Sequence, residues 1–316
     1  MSTASAPAKG AGDLSSQPQN PTAVLSACAS YFLWGLTTLM FIVIGRAGGF
    51  AAETIAWRLV WTPVLAMAVV LLTGRGPELA KALTDRRLVL GLAAAAVAIS
   101  ASWALFIWAV TNNYKLETSL GYFISPLMSL VIGAVFLRER ITRLAGIAVA
   151  LAAIGVGVQT AALGHAPVVA LGLALTFVSY SVIRKHLAVG AQTGMAIEGL
   201  VMAPFGLVWS GWLAMHGQSH FGHDLRITLL LLALAPATLL PFTLFAWSAR
   251  RISMSLLGFL QFITPTMQFA IALAFGEPLS VLRLLSFVFI WAGVAVYTLS
   301  VWRAGQAPEP ALEAGV

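Results

Sequence analysis

The octapeptide "LGYFISPL", residues 120–127, places a glycine, a phenol, a hydroxyl and a proline inside a long apolar run. A second stretch, "LQFITPTM" at residues 260–267, repeats its Phe-Ile-(Ser/Thr)-Pro core. Proline removes a backbone donor and frees the carbonyl four residues earlier, which here belongs to Tyr122 or to Gln261. The sequence therefore predicts two apolar helices with equivalent kinks, which serve either helix packing or a neighbouring cavity.

The composition of the whole chain is that of a membrane protein. Of 316 residues, 59% are hydrophobic and only 9% are charged, whereas soluble domains carry about 25% charged residues. The single cysteine, Cys28, allows neither an intrachain disulfide nor a thiolate metal site. The bilayer is therefore the predicted solvent, and the expected fold is an all-α integral membrane protein.

The apolar runs predict ten transmembrane helices, because about 20 apolar residues are needed to cross a bilayer. The residues before and after them, 1–22 and 303–316, are rich in small and polar types and are predicted to be disordered cytoplasmic tails. The ten predicted spans are 24–44, 53–73, 88–110, 116–137, 143–161, 166–184, 194–215, 226–248, 252–275 and 280–302.

The positive charges predict the orientation of these spans. Of 18 Lys and Arg residues, 13 fall on the side of the N-terminus and four on the opposite side, while Arg58 lies within the second span. Basic residues concentrate in cytoplasmic loops, so both termini are predicted to be cytoplasmic. This bias explains the net charge of +7 without a nucleic-acid partner.

An internal repeat divides the chain into two halves. The pentapeptides "LFIWA" and "LFAWS" each place a tryptophan 18 residues before a proline, Pro126 in one case and Pro265 in the other. Spans three to five therefore match spans eight to ten, and the repeat unit is five helices. Because five is odd, the halves 23–161 and 166–302 are predicted to be inverted around a central cavity.

Three stretches carry a family resemblance: "SWALFIWAVTNN" (102–113), "LETSLGYFISPLMSLVIGAVFLRERI" (116–141) and "GFLQFITPTMQFAIALAFGEPL" (258–279). They resemble the RarD-type branch of the EamA-like drug/metabolite transporter superfamily. The resemblance covers all ten spans. It implies two inverted five-helix repeats, alternating access, and a bacterial inner-membrane permease for a small organic solute.

The chain departs from that branch in two places. The first span of the branch reads Trp-Gly-x-x-Pro-x-Tyr-x-Lys, and here Thr38, Met40 and Ile42 replace the last three of these residues. In the second span, Trp57 stands where the branch has histidine. If those polar residues line the substrate path in relatives, this chain is expected to take a more apolar substrate.

Arg58 is the sharpest single candidate for a binding residue. It follows Glu53 by five residues, which is about 7–8 Å along a helix. A charge at membrane depth usually faces a cavity or a partner, and a guanidinium facing a cavity would suit an anionic solute. The alternatives are that Arg58 extends outward to the headgroups or pairs with Glu53.

Aromatic residues within the spans could stack on a planar or cationic ligand, although most tryptophans of such proteins belong to the interfacial belts. Hydroxyls beside the two prolines could face a solute or bond the local backbone. The predicted substrate-binding residues are Trp34, Arg58, Trp103, Tyr122, Ser125, Pro126, Tyr180, Gln261, Thr264 and Pro265.

A second set of candidates, for coupling or gating, comprises Glu53, Asn112, Glu117 and Glu198. Glu117 and Glu198 fall near the starts of their spans, where an acid favoured by the helix dipole is the preferred interpretation and a proton-linked carboxylate the alternative. The sequence places no carboxylate at the middle of a span. Three histidines in "HGQSHFGHD", residues 216–224, are not expected to bind a metal in an exposed loop.

These observations favour a secondary transporter, and more specifically an exporter of a small metabolite or drug-like solute. The alternatives are a lipid flippase or channel and, with less support, an intramembrane enzyme. The glycines at 74–76 are not followed by a phosphate-loop Lys-Ser/Thr, so no nucleotide or other cofactor is expected. The expected partners are a small-molecule substrate and the bilayer, and a homodimer is left open.

Overall fold

A computed structural model of the protein describes residues 20–112, 114–139, 142–275 and 281–306. Most of the two predicted tails lies outside these residues, but Pro21 begins the first helix and the last helix continues to Gln306. The described residues form helices and connecting turns: α1 Pro21–Arg46, α2 Ala51–Leu72, α3 Gly76–Thr84, α4 Arg86–Thr111, α5 Lys115–Val135, α6 Arg143–Leu163, α7 Val168–His186, α8 Ala191–Met215, α9 Leu225–Ala249, α10 Met254–Gln261, α11 Ile263–Ala274 and α12 Val281–Gln306.

The membrane-spanning segments agree with the sequence. Within the described residues, nine segments are long and apolar enough to cross a bilayer, and α10 and α11 together form one of them. A tenth, shorter apolar segment covers 284–300 within α12. The prediction of an all-α integral membrane protein is confirmed.

The short helix α3 was not predicted. It begins with Pro77 in its first turn, where the missing donor costs nothing, and it buries Leu79 and Ala82. Glu78 accepts a hydrogen bond from the backbone N–H of Gly190, at 3.1 Å. What the hydropathy pattern shows as a loop is therefore an amphipathic helix that packs on the α7–α8 connection.

The two proline motifs form different structures. α5 continues through Pro126, whereas the ninth span breaks at Phe262, three residues before Pro265. Ser125 donates to the carbonyl of Gly121 in its own helix, at 2.8 Å. Thr264 is also buried, but it donates to the carbonyl of Tyr31 in α1, at 2.8 Å. Both hydroxyls therefore bond backbone, and one of them joins two helices.

Glycines allow a close helix crossing between α6 and α12. A Cβ on Gly155 would lie 2.7 Å from the carbonyl oxygen of Ser286, and one on Gly293 would lie 2.7 Å from that of Ala148. A shift of 138 residues, one less than the 139 that separate Pro126 from Pro265, exchanges these two contacts. The α4–α7 and α1–α9 pairs also correspond under the repeat. The inversion of the complete halves remains a prediction.

We expect Gly155→Ala to destabilise the protein, because the added methyl group meets the backbone of α12. Overpacking of this kind costs about 1–3 kcal/mol. Gly157→Ala is the matched control in the same helix, since no atom lies within 4 Å of its added methyl group. Thermal unfolding in detergent should show a lower Tm for the first variant alone. Equal melting of both variants would contradict the crossing.

Candidate functional site

A pocket lies between α2, α4, α8 and α9 and contains about 440 Å³ of empty space, counted out to its open mouth. We call it the four-helix pocket. Its polar and aromatic side chains come from all four helices, and its remaining wall is largely apolar. The lining includes Arg58, Thr62, Ile99, Ser100, Trp103, Glu198, Met202 and Phe242.

Two glycines of α8 bring the charged residues of α2 and α8 into one pocket. A Cβ on Gly199 would lie 2.7 Å from the Cβ of Pro63, and one on Gly206 would lie 2.7 Å from that of Leu59. Small residues allow such close approach between membrane helices. Because each glycine lies against a residue of the pocket lining, the crossing fixes the distance between the two pocket walls.

Arg58 lines the pocket and lies over the Trp103 ring. Its Cζ is 3.4 Å from the ring centroid, and such a cation–π contact contributes about 2 kcal/mol when desolvated. Its Nε is buried and has no hydrogen-bond partner among the described residues. The alternative that Arg58 extends to the headgroups is therefore not what the structure shows.

Glu53 does not pair with Arg58, so the second alternative for the arginine is wrong. Glu53 is fully buried, and its Oε1 accepts from the backbone N–H groups of His220 and Phe221, at 2.6 and 3.0 Å. Ser219 Oγ donates to the same oxygen at 3.0 Å, and His220 Nδ1 lies 3.0 Å from Oε2. The carboxylate therefore fixes the α8–α9 loop against the start of α2.

Glu198 lies deeper than the sequence suggested. It is seven residues into α8, about 10 Å along the helix, and it lines the pocket. Its Oε1 is 3.2 Å from Nε of Arg184, which is only 1% exposed. A side chain at Gly194 would overlap this guanidinium. Because the prediction ended the sixth span at Arg184, it treated that arginine as a loop charge and missed the buried pair.

The predicted aromatic residues fall into two layers. Trp103 lines the pocket, whereas Trp34 packs edge-on behind Phe242, with 4.8 Å between ring centroids. Tyr180 is fully buried and also packs edge-on against Phe242, at 5.7 Å. Trp34 and Tyr180 therefore support the pocket wall without forming it.

Tyr122 is 36% exposed and lies within electrostatic reach of Arg58. Its ring packs edge-on against Phe106 of α4, with 6.3 Å between the centroids. It is not part of the four-helix pocket lining, but it is the one member of the "LGYFISPL" motif with a link to the arginine.

The other predicted residues around the prolines are buried at helix crossings outside the pocket lining. A Cβ on Gly258 would lie 2.9 Å from the carbonyl oxygen of Pro126, which places α5 directly against α10. This packing explains the small residues of the motif without a ligand. The buried residues concerned are Ser125, Pro126, Gln261, Thr264 and Pro265.

Two further predicted residues cap helix ends. Glu117 is 3% exposed, and its Oε2 accepts from the backbone N–H groups of Val169 and Ala170, at 2.9 and 3.4 Å. Glu117 lies in the first turn of its own helix α5, as expected, and its carboxylate also caps the start of α7. Asn112 donates to the carbonyl of Trp108 at the end of α4, at 2.8 Å.

Glu139 was not predicted and performs the same task on the other side of the membrane. It accepts from the backbone N–H groups of Met254 and Ser255 at the start of α10, at 2.6 and 2.8 Å. Together with Glu53 and Glu117, it joins an element of the first half to one of the second half. Buried carboxylates thus hold the two halves together at both ends of the spans.

A sequence signal for the pocket was present. Ala56-x-Arg58 is followed by a proline five residues after the arginine, and Ala196-x-Glu198 is followed by one six residues after the glutamate. The two charges therefore lie at closely equivalent positions in the second and seventh spans. The opposite signs of the charges conceal the similarity in a residue-by-residue comparison.

Comparisons with known proteins agree with a transporter. The protein RarD of Salmonella typhi is 38% identical over 283 residues, which are 89% of this chain and 96% of the relative. An uncharacterized transporter of Vibrio cholerae is 35% identical over 286 residues, 90% of this chain and 94% of the relative. One solved crystal structure matches 89% of this chain and 99% of its own at 20% identity and a TM-score of 0.67, which supports the fold alone. No protein-family model matches the chain.

A chain with this many membrane-spanning helices and with relatives named as transporters over nearly their full length is a multi-pass membrane transporter. It belongs to the RarD branch of the drug/metabolite transporter superfamily, as the resemblance of its third, fourth and ninth spans predicted.

We expect Glu198→Gln to destabilise the protein by about 3–5 kcal/mol, because it leaves the Arg184 guanidinium buried without its counter-charge. Arg184→Met in the same chain should recover most of this loss, since no buried charge then remains at the pair. Denaturant unfolding of the single and double variants in micelles measures both effects. A double variant no more stable than Glu198→Gln alone would show that the pair is not the cause.

Proposed function

We propose that the protein is a secondary transporter that moves a small organic solute through the four-helix pocket by alternating access. The observation that carries the proposal is a pair of buried polar atoms at the pocket wall without hydrogen-bond partners among the described residues. These are Arg58 Nε and Thr62 Oγ1.

Such atoms are costly unless a ligand or solvent satisfies them. An unsatisfied buried polar group costs about 1–3 kcal/mol, and a charged one costs more. Ionisable residues at membrane depth characteristically mark solute pathways. A polar solute in the pocket would supply the missing partners. The pocket should therefore bind a polar solute in preference to lipid tails.

The contacts between the halves suggest how access could alternate. Glu53 and Glu117 join the halves at one end of the spans, and Glu139 joins them at the other. Alternating access requires that these two sets of contacts open in turn while the pocket stays between them. Glu198 is the proposed coupling residue, because it is the carboxylate that lines the pocket.

The proposed orientation, the choice of transport over catalysis and the export direction rest on the sequence and on the relatives. The excess of basic residues on one side supports cytoplasmic termini in a bacterial inner membrane. Relatives named as transporters support transport in place of catalysis. The export direction follows from the superfamily resemblance alone, and a flippase or a channel is the competing function.

Transport by purified protein in liposomes tests the proposal. We expect saturable counterflow of a substrate, stimulated by the same solute on the opposite side. Arg58→Ala should reduce this flux at least about tenfold, since even a single lost charge-assisted contact contributes about 1.5–3 kcal/mol. Arg87→Ala, which alters an exposed arginine at the start of α4, is the control and should transport normally.

Flux that does not saturate would indicate a channel, and movement of labelled lipid would indicate a flippase. Either result would contradict the proposed carrier. Full flux in the Arg58→Ala variant would show that the protein is a carrier but that its solute path does not depend on Arg58.

Tyr122→Phe should also reduce flux while membrane insertion is unchanged, because it removes the hydroxyl within electrostatic reach of Arg58 and preserves the ring. Trp108→Phe, which changes another exposed aromatic residue of the adjoining helix, is the comparison. Counterflow and the yield of folded protein in membranes measure the two properties. Normal flux in Tyr122→Phe would exclude the phenol from the path.

A further inference from the structure

The charges around the four-helix pocket do not cancel. Among the described residues, Glu198 has a cationic partner in Arg184 at 3.2 Å, whereas Arg58 lies within salt-bridge distance of no carboxylate. Glu53, the acid nearest to Arg58 in sequence, is occupied by the α8–α9 loop. Because Glu198 and Arg184 neutralise each other, the pocket retains one positive charge, which is that of Arg58. A solute that neutralises it carries a single negative charge.

The geometry of Arg58 selects the shape of that negative group. Trp103 covers one face of the guanidinium at 3.4 Å, and the N–H groups of a guanidinium lie in its plane. The donors are therefore available at the edge, where two of them can bind both oxygens of a planar carboxylate. The buried Nε, without a partner in the described protein, is one of these donors.

The rest of the pocket favours an apolar body. Ile99, Met202 and Phe242 form its wall on three helices, and each is fully or partly buried. Thr62 adds one neutral hydroxyl whose oxygen has no partner. One anionic end and an apolar remainder describe an amphipathic monocarboxylate.

We propose that the four-helix pocket binds a monocarboxylate with an apolar body, its carboxylate on the edge of Arg58 and its body against Ile99, Met202 and Phe242. This inference rests on the proposed function, because it takes the pocket to be the substrate site. It adds the chemical class of the solute and the orientation in which it is held.

Four probes with the same phenyl group and two-carbon link but different charge test the class. They are 3-phenylpropionate (an anion), 3-phenylpropanamide (neutral), phenethylamine (a cation) and phenylalanine (a zwitterion). Binding to the full-length protein in lipid nanodiscs is measured by the ligand-induced shift in Tm. We expect the anion to bind at least about tenfold more tightly than the amide, and we expect no shift with the amine.

Two variants of Arg58 locate the carboxylate. Arg58→Lys retains the charge but loses the paired donors, so anion affinity should fall and the preference over the amide should persist. Arg58→Gln removes the charge, so that preference should disappear. Arg87→Gln, at an exposed position of α4, should leave binding unchanged.

Several outcomes would overturn the proposal. They are equal binding of anion and amide, tighter binding of the amine, no binding of the anion at about 10 mM, or an anion preference that survives Arg58→Gln. Tighter binding of phenylalanine than of the anion would also overturn it, since Glu198 would then serve the ammonium group.

The same probes in the counterflow assay separate this inference from the proposed function. If the anion binds at Arg58 but no flux is seen, the proposed transport function is wrong and the proposed monocarboxylate site still stands. Saturable flux of neutral or cationic probes, without anion preference, would retain the transporter and refute the substrate class.

Discussion

A guanidinium held at membrane depth, with no carboxylate partner among the described residues, is the constraint around which the pocket is built. Placing a charge inside a bilayer costs about 2.5–3.5 kcal/mol even on insertion scales, so the structure must supply compensation. Trp103 provides part of it through its ring face. The neighbouring Glu198–Arg184 pair neutralises itself and leaves Arg58 as the group that a solute can complete.

The surrounding framework is rigid where the helices cross and polar where the halves meet. Gly199 and Gly206 let α8 lie directly against α2, and this approach fixes the width of the pocket. Buried carboxylates then join the two halves through backbone N–H groups at both ends of the spans, with Glu53 and Glu117 at one end and Glu139 at the other. Since hydrogen bonds are easier to exchange than packed helix surfaces, these ends are the natural places for opening.

The spans and the family could be predicted, and Arg58 could be named as a candidate, because hydropathy, charge bias and motif spacing are local properties of the chain. The partners of the polar residues could not, because they depend on which helices adjoin. Glu117 has the position of an acid at its own helix start, yet it caps α7. Ser125 and Thr264 align in sequence, yet one bonds its own helix and the other bonds α1. Only three-dimensional packing distinguishes these cases.

The central claim is that the four-helix pocket is a water-accessible path that opens alternately to each side. In a Cys28→Ser background, the Ser100→Cys thiol would line the pocket, whereas the Val97→Cys thiol would lie on an exposed face of α4 within the bilayer. A membrane-impermeant thiol reagent should label Ser100→Cys when it is added to either side in separate experiments, and it should leave Val97→Cys unlabelled. Labelling of Ser100→Cys from neither side would contradict the pocket, and labelling from only one side would contradict alternating access.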